Sequence, residues 1–116
     1  MKIKYKNYLD KSERQFLFRF DAYLDGKNIG YLTCHKSKDG NYILIKGIYV
    51  KKKYRNKGIG TKLLQRALKK YNGKEIRLRA RPYKQFSLTT RQLIKFYEKF
   101  GFKIYDTQGR MIKTKF

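Results

Sequence analysis

A glycine-rich loop with five basic residues is the part of this sequence best suited to chemistry. It runs from Lys51 to Thr61, follows an apolar stretch that ends at Val50, and contains Gly58 and Gly60. Glycines let backbone N–H groups approach a ligand closely, and the start of a following helix adds unpaired donors and the positive end of its dipole. The basic side chains are Lys51, Lys52, Lys53, Arg55 and Lys57. The loop therefore predicts a cradle for an anion, and a pyrophosphate suits its chemistry.

Two common nucleotide-binding motifs do not match this loop. The dinucleotide-binding fingerprint needs three glycines and an acidic residue about 20 positions further on. A P-loop ends in Gly-Lys-Ser or Gly-Lys-Thr, whereas Gly60 is followed directly by Thr61. An ordinary loop that leads into a glycine-rich helix start is the remaining alternative to an anion site.

The composition is that of a small and strongly basic folded domain. Of its 116 residues, 41% are hydrophobic and 16% aromatic, which is too much apolar material for a disordered chain. Its 31 Lys and Arg against 8 Asp and Glu give a formal net charge of +23, which attracts nucleic acid, an anionic cofactor or an acidic protein face. A coding bias toward lysine is the alternative explanation. We expect a single domain over residues 1–116.

Several other classes of protein do not fit the sequence. The one cysteine, Cys34, excludes an internal disulfide and a zinc site built from several cysteines, and it suits a reducing cytoplasm. No apolar run approaches the roughly 20 residues of a membrane span. Residues 1–10 are too polar for a signal peptide. We therefore expect a cytoplasmic protein that uses neither a membrane nor a metal.

The elements that must position the loop begin with antiparallel strands. An edge strand is predicted over residues 1–9, and alternating apolar residues predict a hairpin formed by 15–24 and 29–37. A second turn at 38–41 leads into 42–50. The nearly continuous apolar run of that last segment is typical of a central strand covered on both faces.

A helix and another strand follow the loop. Apolar residues recur at helical spacing from Ile59 to Tyr71, and Asn72-Gly73 predicts a left-handed cap. Alternation over 75–81 predicts a strand. The basic residues along one face of that strand are Arg77, Arg79 and Arg81. The strand–helix–strand unit over 42–81 implies a parallel pair inside a mixed sheet.

A second helix and two short strands complete the predicted order. After a loop over 82–88, Thr89 and Gln92 have the spacing of a capping box, which predicts a helix that ends near Phe100. The two last strands are predicted over 102–105 and 111–116. The fold class expected from this order is mixed α+β, with a mostly antiparallel sheet around a β-α-β core.

Two segments resemble motifs of the GCN5-related N-acetyltransferase (GNAT) family. Arg55–Gly60, which reads Arg-Asn-Lys-Gly-Ile-Gly, is similar to the family's Arg/Gln-x-x-Gly-x-Gly/Ala signature for coenzyme A. Leu93–Phe102 is similar to the family's Phe-Tyr-Glu-Lys-x-Gly-Phe segment on the last helix and the following strand. The two segments stand in the family's order, and the resemblance covers about residues 42–116.

The resemblance implies acetyl-CoA as the cosubstrate, bound in a splay between two parallel strands, 42–50 and 75–81. Backbone groups near Ile48, Tyr49 and Val50 would hydrogen-bond the pantetheine arm and the acetyl carbonyl. The loop would hold the pyrophosphate through its N–H groups, with the side chains of Arg55 and Lys57 in support. The loop residues assigned in this way are Arg55, Asn56, Lys57, Gly58, Ile59, Gly60 and Thr61. Where many relatives place an asparagine near the start of the last helix, this chain has Thr90.

The resemblance also implies that Tyr97 is the general acid toward the departing thiolate. A phenol with a pKa of about 10 is protonated at neutral pH and can donate. A role as a core aromatic is the alternative. The general base is not apparent, because relatives often place a glutamate on the strand before the loop, whereas residues 44–47 contain no carboxylate. The ordinary pKa of a histidine suits a base, although a lone histidine such as His35 is more often structural. Weaker candidates for the base are Tyr49, Glu75 and Glu98. The alternative is that a desolvated acceptor amine loses its proton to water.

The short N-terminal half bears on the acceptor. The family usually has one or two helices between its first two strands, whereas only residues 10–14 separate them here, so the acceptor side should be open to an exposed amine of a macromolecule. The small size and the tail resemble the very small phage-type members, which include an anti-CRISPR acetyltransferase. We expect an acetyl-CoA-dependent N-acetyltransferase that acts on a protein amine, a lysine side chain. The alternatives are a basic nucleic-acid-binding module of this fold without catalysis, and a small-amine acetyltransferase.

Overall fold

Alternating apolar residues form a sheet of seven strands, and two amphipathic segments form α helices. The structure is a computed structural model that describes residues 2–10, 17–81 and 89–114. In chain order the elements are β1 Lys4–Asp10, β2 Leu17–Leu24, β3 Lys27–Lys36, β4 Ile43–Val50, α1 Ile59–Lys70, β5 Ile76–Arg79, α2 Thr90–Glu98, β6 Lys103–Ile104 and β7 Arg110–Lys113. The strand order in the sheet is β1-β2-β3-β4-β5-β7-β6. The predicted mixed, mostly antiparallel sheet is confirmed, with β1 at one edge and β4 in the middle.

The sequence pattern predicted the strands themselves better than the residues at which they end. β5 ends at Arg79, β6 at Ile104 and β7 at Lys113, each earlier than the sequence pattern indicates. The predicted loop over 82–88, the short link between the first two strands over 11–16, and residues 115–116 lie outside the described residues. None of the helices in the described ranges is long and apolar enough to cross a membrane.

Contacts divide the chain into two compact units. The first unit comprises Met1–His35 and Ile45–Asn72, and the second comprises Lys36–Leu44 and Gly73–Phe116. The first unit therefore contains β1 to β3, most of β4, the glycine loop and α1. The second unit contains the start of β4 together with β5, α2, β6 and β7.

The core of the first unit lies between one face of the sheet and α1. Phe20 and Ala22 of β2 are fully buried, and the ring of Phe18 meets that of Tyr71 edge-on at 6.3 Å. The buried side chains of α1 are Ile59, Leu63, Leu64 and Ala67. Burying a side chain of this size stabilises the folded state by about 1.5–3 kcal/mol, so this face determines the position of α1.

A buried carboxylate lies on the opposite face of β2. Asp21 is 1% exposed. Its Oδ1 accepts from Nε and Nη2 of Arg19, at 3.2 and 3.1 Å, and its Oδ2 accepts from the Tyr23 hydroxyl at 3.0 Å. Arg19 also lies 4.6 Å from the centre of the Tyr31 ring. The alternation of β2 predicts polar residues on this face but not that one of them is buried.

The single cysteine is buried and chemically quiet. The Cys34 sulfur lies 3.7 Å from the carbonyl oxygen of Phe18 and 3.8 Å from the hydroxyl of Tyr71. Burial raises the pKa of the Cys34 thiol to about 11. The thiol is therefore protonated at neutral pH and is no nucleophile there.

The second unit contains the parallel pair. β4 pairs with β5 in parallel, with Ile43 opposite Ile76 and Leu44 opposite Arg77. β5 pairs antiparallel with β7, and β7 pairs antiparallel with β6. The last strand thus lies between β5 and β6, an order that the sequence pattern did not predict.

Both helices end slightly before their predicted limits. α1 ends at Lys70 with Tyr71 as its C-cap, and the left-handed residue, Gly73 with φ +83°, lies in the turn beyond. The left-handed cap predicted at Asn72-Gly73 is therefore displaced from the helix end. α2 ends at Glu98, and the predicted capping box is confirmed at its start.

Candidate active site

The glycine loop is attached to the end of β4 by hydrogen bonds on both sides of a short 3₁₀ turn, Lys52–Tyr54. The N–H of Lys51 donates to the carbonyl of Ile29 at 2.9 Å, and the N–H of Tyr54 donates to the carbonyl of Lys51 at 2.8 Å. Nε of Arg55 donates to the carbonyl of Val50 at 2.9 Å. The sequence pattern did not predict this turn. It fixes the loop relative to the strand that precedes it.

Two residues of the loop have left-handed backbone conformations. Asn56 has φ +61° and Gly58 has φ +79°. A Cβ atom on Gly58 would have no neighbour within 4 Å, so glycine is favoured there by the backbone angle rather than by lack of space. Asparagine is the residue other than glycine that visits this region most readily. The loop sequence therefore suits its curvature.

The start of α1 has backbone donors that the helix itself does not use. Its N-cap is Gly58, which provides no side-chain cap, and no acidic residue occupies its first turn. The first intrahelical bond runs from the N–H of Lys62 to the carbonyl of Gly58 at 3.0 Å. Helix geometry leaves the N–H groups of Ile59, Gly60 and Thr61 without a partner four residues earlier. These donors and the helix dipole fit the predicted anion cradle.

The second glycine has a different role from the first. A Cβ atom on Gly60 would lie 3.9 Å from the Cγ2 atoms of both Ile48 and Val50, which is ordinary van der Waals contact. The first turn of α1 therefore rests on the last residues of β4, and the space accepts an alanine.

Close packing also fixes the end of β4 from the β3 side. A Cβ atom on Gly30 would lie only 2.8 Å from the carbonyl oxygen of Tyr49. The rings of Tyr31 and Tyr49 are 5.5 Å apart. Gly30 was not among the residues predicted for the site. An isolated glycine inside a strand pattern is the signal that could have indicated it.

The structure thus brings together all the residues predicted to bind the donor. Ile48, Tyr49 and Val50 end β4, and Arg55, Asn56, Lys57, Gly58, Ile59, Gly60 and Thr61 follow within the same unit. The Arg55 side chain donates a hydrogen bond to the carbonyl of Val50, a contact that the sequence did not predict. Lys51, Lys52, Lys53 and Lys57 are exposed around the loop.

Tyr97 lies in the second unit, on α2, and is 7% exposed. Its ring meets those of Phe96 and Phe102 at 5.3 and 5.9 Å. Its carbonyl accepts from the N–H groups of Phe100 and Phe102, at 3.0 and 3.4 Å, which closes the end of the helix. These contacts hold Tyr97 in one position. Its role as a general acid stays a prediction.

The candidate bases differ in their surroundings. Glu75 accepts from Nε of Arg77 at 2.9 Å, and Glu98 is exposed on α2. His35 and Tyr49 are half-buried. The described part of the chain contains no group of three His, Cys, Asp or Glu residues that could hold a metal ion.

The predicted row of arginines, of which Arg77 and Arg79 lie on β5, is largely engaged in contacts within the second unit. Arg77 pairs with Glu75, and its guanidinium lies 4.0 Å from the centre of the Tyr42 ring. Nε of Arg79 donates to the carbonyl of Gln108 at 3.0 Å. Arg81 is exposed. Two of the three arginines that could form a nucleic-acid surface therefore have local structural contacts.

Comparison with solved structures identifies acetyltransferases of the same fold. The chain is similar to the PaiA N-acetyltransferase of Thermoplasma acidophilum in complex with coenzyme A, with TM-score 0.65 and 32% identity over 84% of this chain and 60% of that chain. It is similar to Arabidopsis thaliana Naa50 in complex with the bisubstrate analogue CoA-Ac-MVNAL, with TM-score 0.66 and 26% identity over 83% and 72%.

A third similar structure is a putative streptothricin acetyltransferase from Bacillus anthracis in complex with acetyl coenzyme A. The TM-score is 0.61, with 26% identity over 87% of this chain and 61% of that chain. The chain spans less than two thirds of the length of this protein and of PaiA. No curated protein matches the sequence.

The family model extends over most of the chain and agrees with the strands, the loop and the helices described above. Residues 15–104 match the model of the acetyltransferase (GNAT) domain. This match includes β2 to β5, both helices and the whole glycine loop. The chain therefore belongs to the GNAT family of acetyltransferases.

Proposed function

We propose that this protein is an acetyl-CoA-dependent N-acetyltransferase whose acceptor is a protein amine, a lysine side chain. The observation that carries the proposal is the open start of α1, where Gly58 provides no cap and the loop is held against β4 through Arg55. Such a site binds the diphosphate of a nucleotide donor. Structures similar to this one were solved with coenzyme A or acetyl coenzyme A.

The loop residues would hold the donor by its charged end. The N–H groups from Asn56 to Thr61 would bind the diphosphate. Lys57 would add a positive charge from its exposed position. Arg55 would contribute mainly by fixing the loop on Val50. Backbone groups of Ile48, Tyr49 and Val50 would orient the uncharged arm and the acetyl carbonyl. The donor supplies an acetyl thioester, whose carbonyl carbon is open to attack by a neutral amine.

Tyr97 would supply the proton that the departing sulfur needs. As the neutral amine nitrogen bonds to the acetyl carbon, the carbon–sulfur bond breaks, and the Tyr97 hydroxyl gives its proton to the sulfur. The new amide nitrogen releases its surplus proton to solvent, and the Tyr97 phenolate takes one up from solvent, which restores the acid. Residues 44–47 contain no carboxylate, so the acceptor ammonium would lose its proton to water before it attacks. An amine taken out of water favours its neutral form, which assists that loss.

A protein acceptor is supported by two observations. The bisubstrate analogue in the similar Naa50 structure, CoA-Ac-MVNAL, joins coenzyme A to a peptide, although that peptide contains no lysine. In this chain β1 ends at Asp10 and β2 begins at Leu17, so only six residues separate the first two strands. A short connection favours access by an exposed side chain over enclosure of a small amine.

The test combines transfer with donor binding. Cell lysate is incubated with the protein and isotope-labelled acetyl-CoA, and labelled lysines are identified by mass spectrometry. Replacing Tyr97→Phe should lower turnover about 100-fold, since general acid catalysis contributes about 10²–10⁴. The dissociation constant for acetyl-CoA should stay within twofold. The matched control, Tyr105→Phe, removes a hydroxyl from an exposed tyrosine of the same unit and should leave both quantities unchanged. Absence of acetyl-CoA binding at micromolar protein would end the proposal.

A further inference from the structure

A pocket of about 290 Å³ lies in the second unit, between the end of β5, the start of α2 and the turn that joins β6 to β7. Two backbone segments form its floor. The N–H of Ala80 donates to the carbonyl of Gly109 at 2.7 Å, and a Cβ atom on Gly109 would lie 2.9 Å from the carbonyl oxygen of Ala80. The floor is therefore closely packed and requires glycine at 109.

The turn beside the pocket is held by its own acid and by an arginine of β5. Asp106 Oδ1 accepts from the N–H groups of Gln108 and Arg110 at 2.9 and 3.1 Å, and its Oδ2 accepts from Nη1 of Arg110 at 3.0 Å. Nε of Arg79 donates to the carbonyl of Gln108 at 3.0 Å. The Asp106 carboxylate is thus used within the turn, and it is not among the residues that line the pocket.

The lining has the chemistry of an anion site. The residues that line the pocket include Arg79 and Arg81, and none of the described lining residues carries a carboxylate. Polar donors come from Thr90 and Gln108, and Ile94 forms part of an apolar wall. Arginine binds carboxylate and phosphate groups in a forked geometry that lysine does not provide. The volume lies near the lower end of the range for small-ligand sites and has room for one charged group on a short stem.

The pocket and the proposed acid share one face of α2. Thr90, Ile94 and Tyr97 are spaced by four and three residues, which places them on the same side of a helix. Tyr97 is about 4.5 Å further along the helix axis than Ile94, at a rise of about 1.5 Å per residue. A group held against Thr90 and Ile94 would therefore lie on the same side of α2 as the proposed acid.

We propose that this pocket binds a carboxylate or phosphate group that the acceptor carries close to its reactive amine. The inference rests on the proposed acetyl transfer and on Tyr97 as its acid. The phosphates of the donor are separated from its thioester by an uncharged arm, and the start of α1 would hold them. Under the proposed function, an anion bound on the Tyr97 side of α2 would therefore be supplied by the acceptor. The preferred acceptor is a lysine flanked by acidic or phosphorylated residues.

A binding experiment tests the pocket without catalysis. Inorganic phosphate is titrated into the full chain, and amide resonances of Thr90 and Gly109 are followed by NMR. Arg81→Gln should raise the dissociation constant for phosphate, as reported by these two amides, at least fivefold. Arg91→Gln, which removes the same charge from an exposed position of α2 outside the lining, should change it less than twofold. Unmoved resonances, or equal effects of the two variants, would overturn the pocket as an anion site.

An activity experiment then tests the acceptor. Three lysine peptides are compared that differ only in their flanking residues: aspartate, phosphoserine or asparagine. For the unaltered protein, we expect kcat/KM for the better anionic peptide to exceed that for the asparagine peptide at least tenfold. Arg81→Gln should reduce this ratio below threefold, whereas Arg91→Gln should preserve it. The ranking of the aspartate and phosphoserine peptides identifies the source of the anion.

The possible failures are distinguishable. Equal use of all three peptides by the unaltered protein would reject the acceptor preference and leave acetyl transfer standing. Failure to bind acetyl-CoA would reject the proposed function and the acceptor preference with it, while the phosphate titration would still decide whether the pocket binds anions.

Discussion

The starts of the two helices differ in whether side chains bind their backbone N–H donors. At α2, Oγ1 of Thr89 accepts from the N–H of Gln92 at 3.1 Å, and Oε1 of Gln92 accepts from the N–H of Thr89 at 2.8 Å. At α1 the cap is Gly58, which offers no side chain. A side-chain cap contributes about 1 kcal/mol to stability. The sequence of α2 therefore stabilises its own helix, whereas that of α1 leaves donors for a ligand.

The same contrast separates the functions proposed for the two helices. α1 would act through its end, where backbone N–H groups meet phosphate. α2 would act through a side, where Thr90, Ile94 and Tyr97 follow one another. The capping box does not interfere with the proposed role of α2, because that role uses no backbone N–H group at the start of the helix. Substitutions at the two starts should consequently affect different quantities.

The largest effect is expected from giving α1 a charged cap of its own. Gly58→Asp places a carboxylate beside the N–H groups proposed to bind the diphosphate, where it occupies donors and repels the anion. The dissociation constant for acetyl-CoA should rise at least thirtyfold, about 2 kcal/mol. Isothermal titration calorimetry measures it.

Gly58→Asn is the matched control for that change. Asparagine has nearly the same shape, caps helices comparably and tolerates a left-handed backbone, but it carries no charge. It should weaken binding several-fold less than aspartate. If both variants bind the donor as tightly as the unaltered protein, the start of α1 is not the phosphate site, and the contrast between the helices has no functional meaning.

A moderate effect is expected where the loop is tied to β4. Arg55→Lys keeps the positive charge but loses the Nε hydrogen bond to Val50, which is one of the contacts that hold the loop. The affinity for acetyl-CoA should fall about fivefold, roughly 1 kcal/mol, the usual contribution of such a bond. Lys57→Gln removes a charge from an exposed neighbour and should have a smaller effect at physiological salt. The reverse ranking would show that charge, not position, is what Arg55 supplies.

Loss of the cap on α2 should change stability alone. Thr89→Ala should lower the free energy of unfolding by about 1 kcal/mol, since it removes the acceptor for the Gln92 N–H. Urea denaturation followed by circular dichroism reports this change, and Thr89→Ser should restore most of it. Affinity for acetyl-CoA should stay within twofold. A loss of affinity equal to that of Gly58→Asp would contradict the division of roles.

The smallest effect is expected at Gly60. Its Cβ position is 3.9 Å from Ile48 and Val50, so Gly60→Ala fits without displacement. Helix propensity should raise the free energy of unfolding by about 0.5 kcal/mol. Donor affinity should stay within twofold. A large loss would mean that the donor approaches the backbone at residue 60 more closely than the loop geometry implies.

Local features of the fold were predictable from the sequence, and non-local ones were not. The capping box at Thr89 and Gln92 depends on residues three positions apart, and the pattern predicted it correctly. The placement of β7 between β5 and β6 depends on pairing of Arg79 with Arg110, far apart in the chain. Burial of Asp21 depends likewise on neighbouring strands, because alternation within β2 does not show which polar face becomes covered.

The candidate site shows the same limit. Residues Arg55 to Thr61 form one continuous segment, so their chemistry could be inferred from order alone. The approach of Gly30 to Tyr49 could not, since it joins two strands. Tyr97 is surrounded by Phe96 and Phe102, and composition alone describes it as one more core aromatic. Only the resemblance to a family gave it a chemical role.

The seclusion of Cys34 makes this protein convenient for fluorescence work. With a thiol pKa of about 11 and no exposed sulfur, the native chain should not react with maleimide dyes at neutral pH. A cysteine introduced on the surface would then be the sole labelled position, and no background thiol need be removed first. Dyes placed beside either helix start could report in real time which of the two meets the donor.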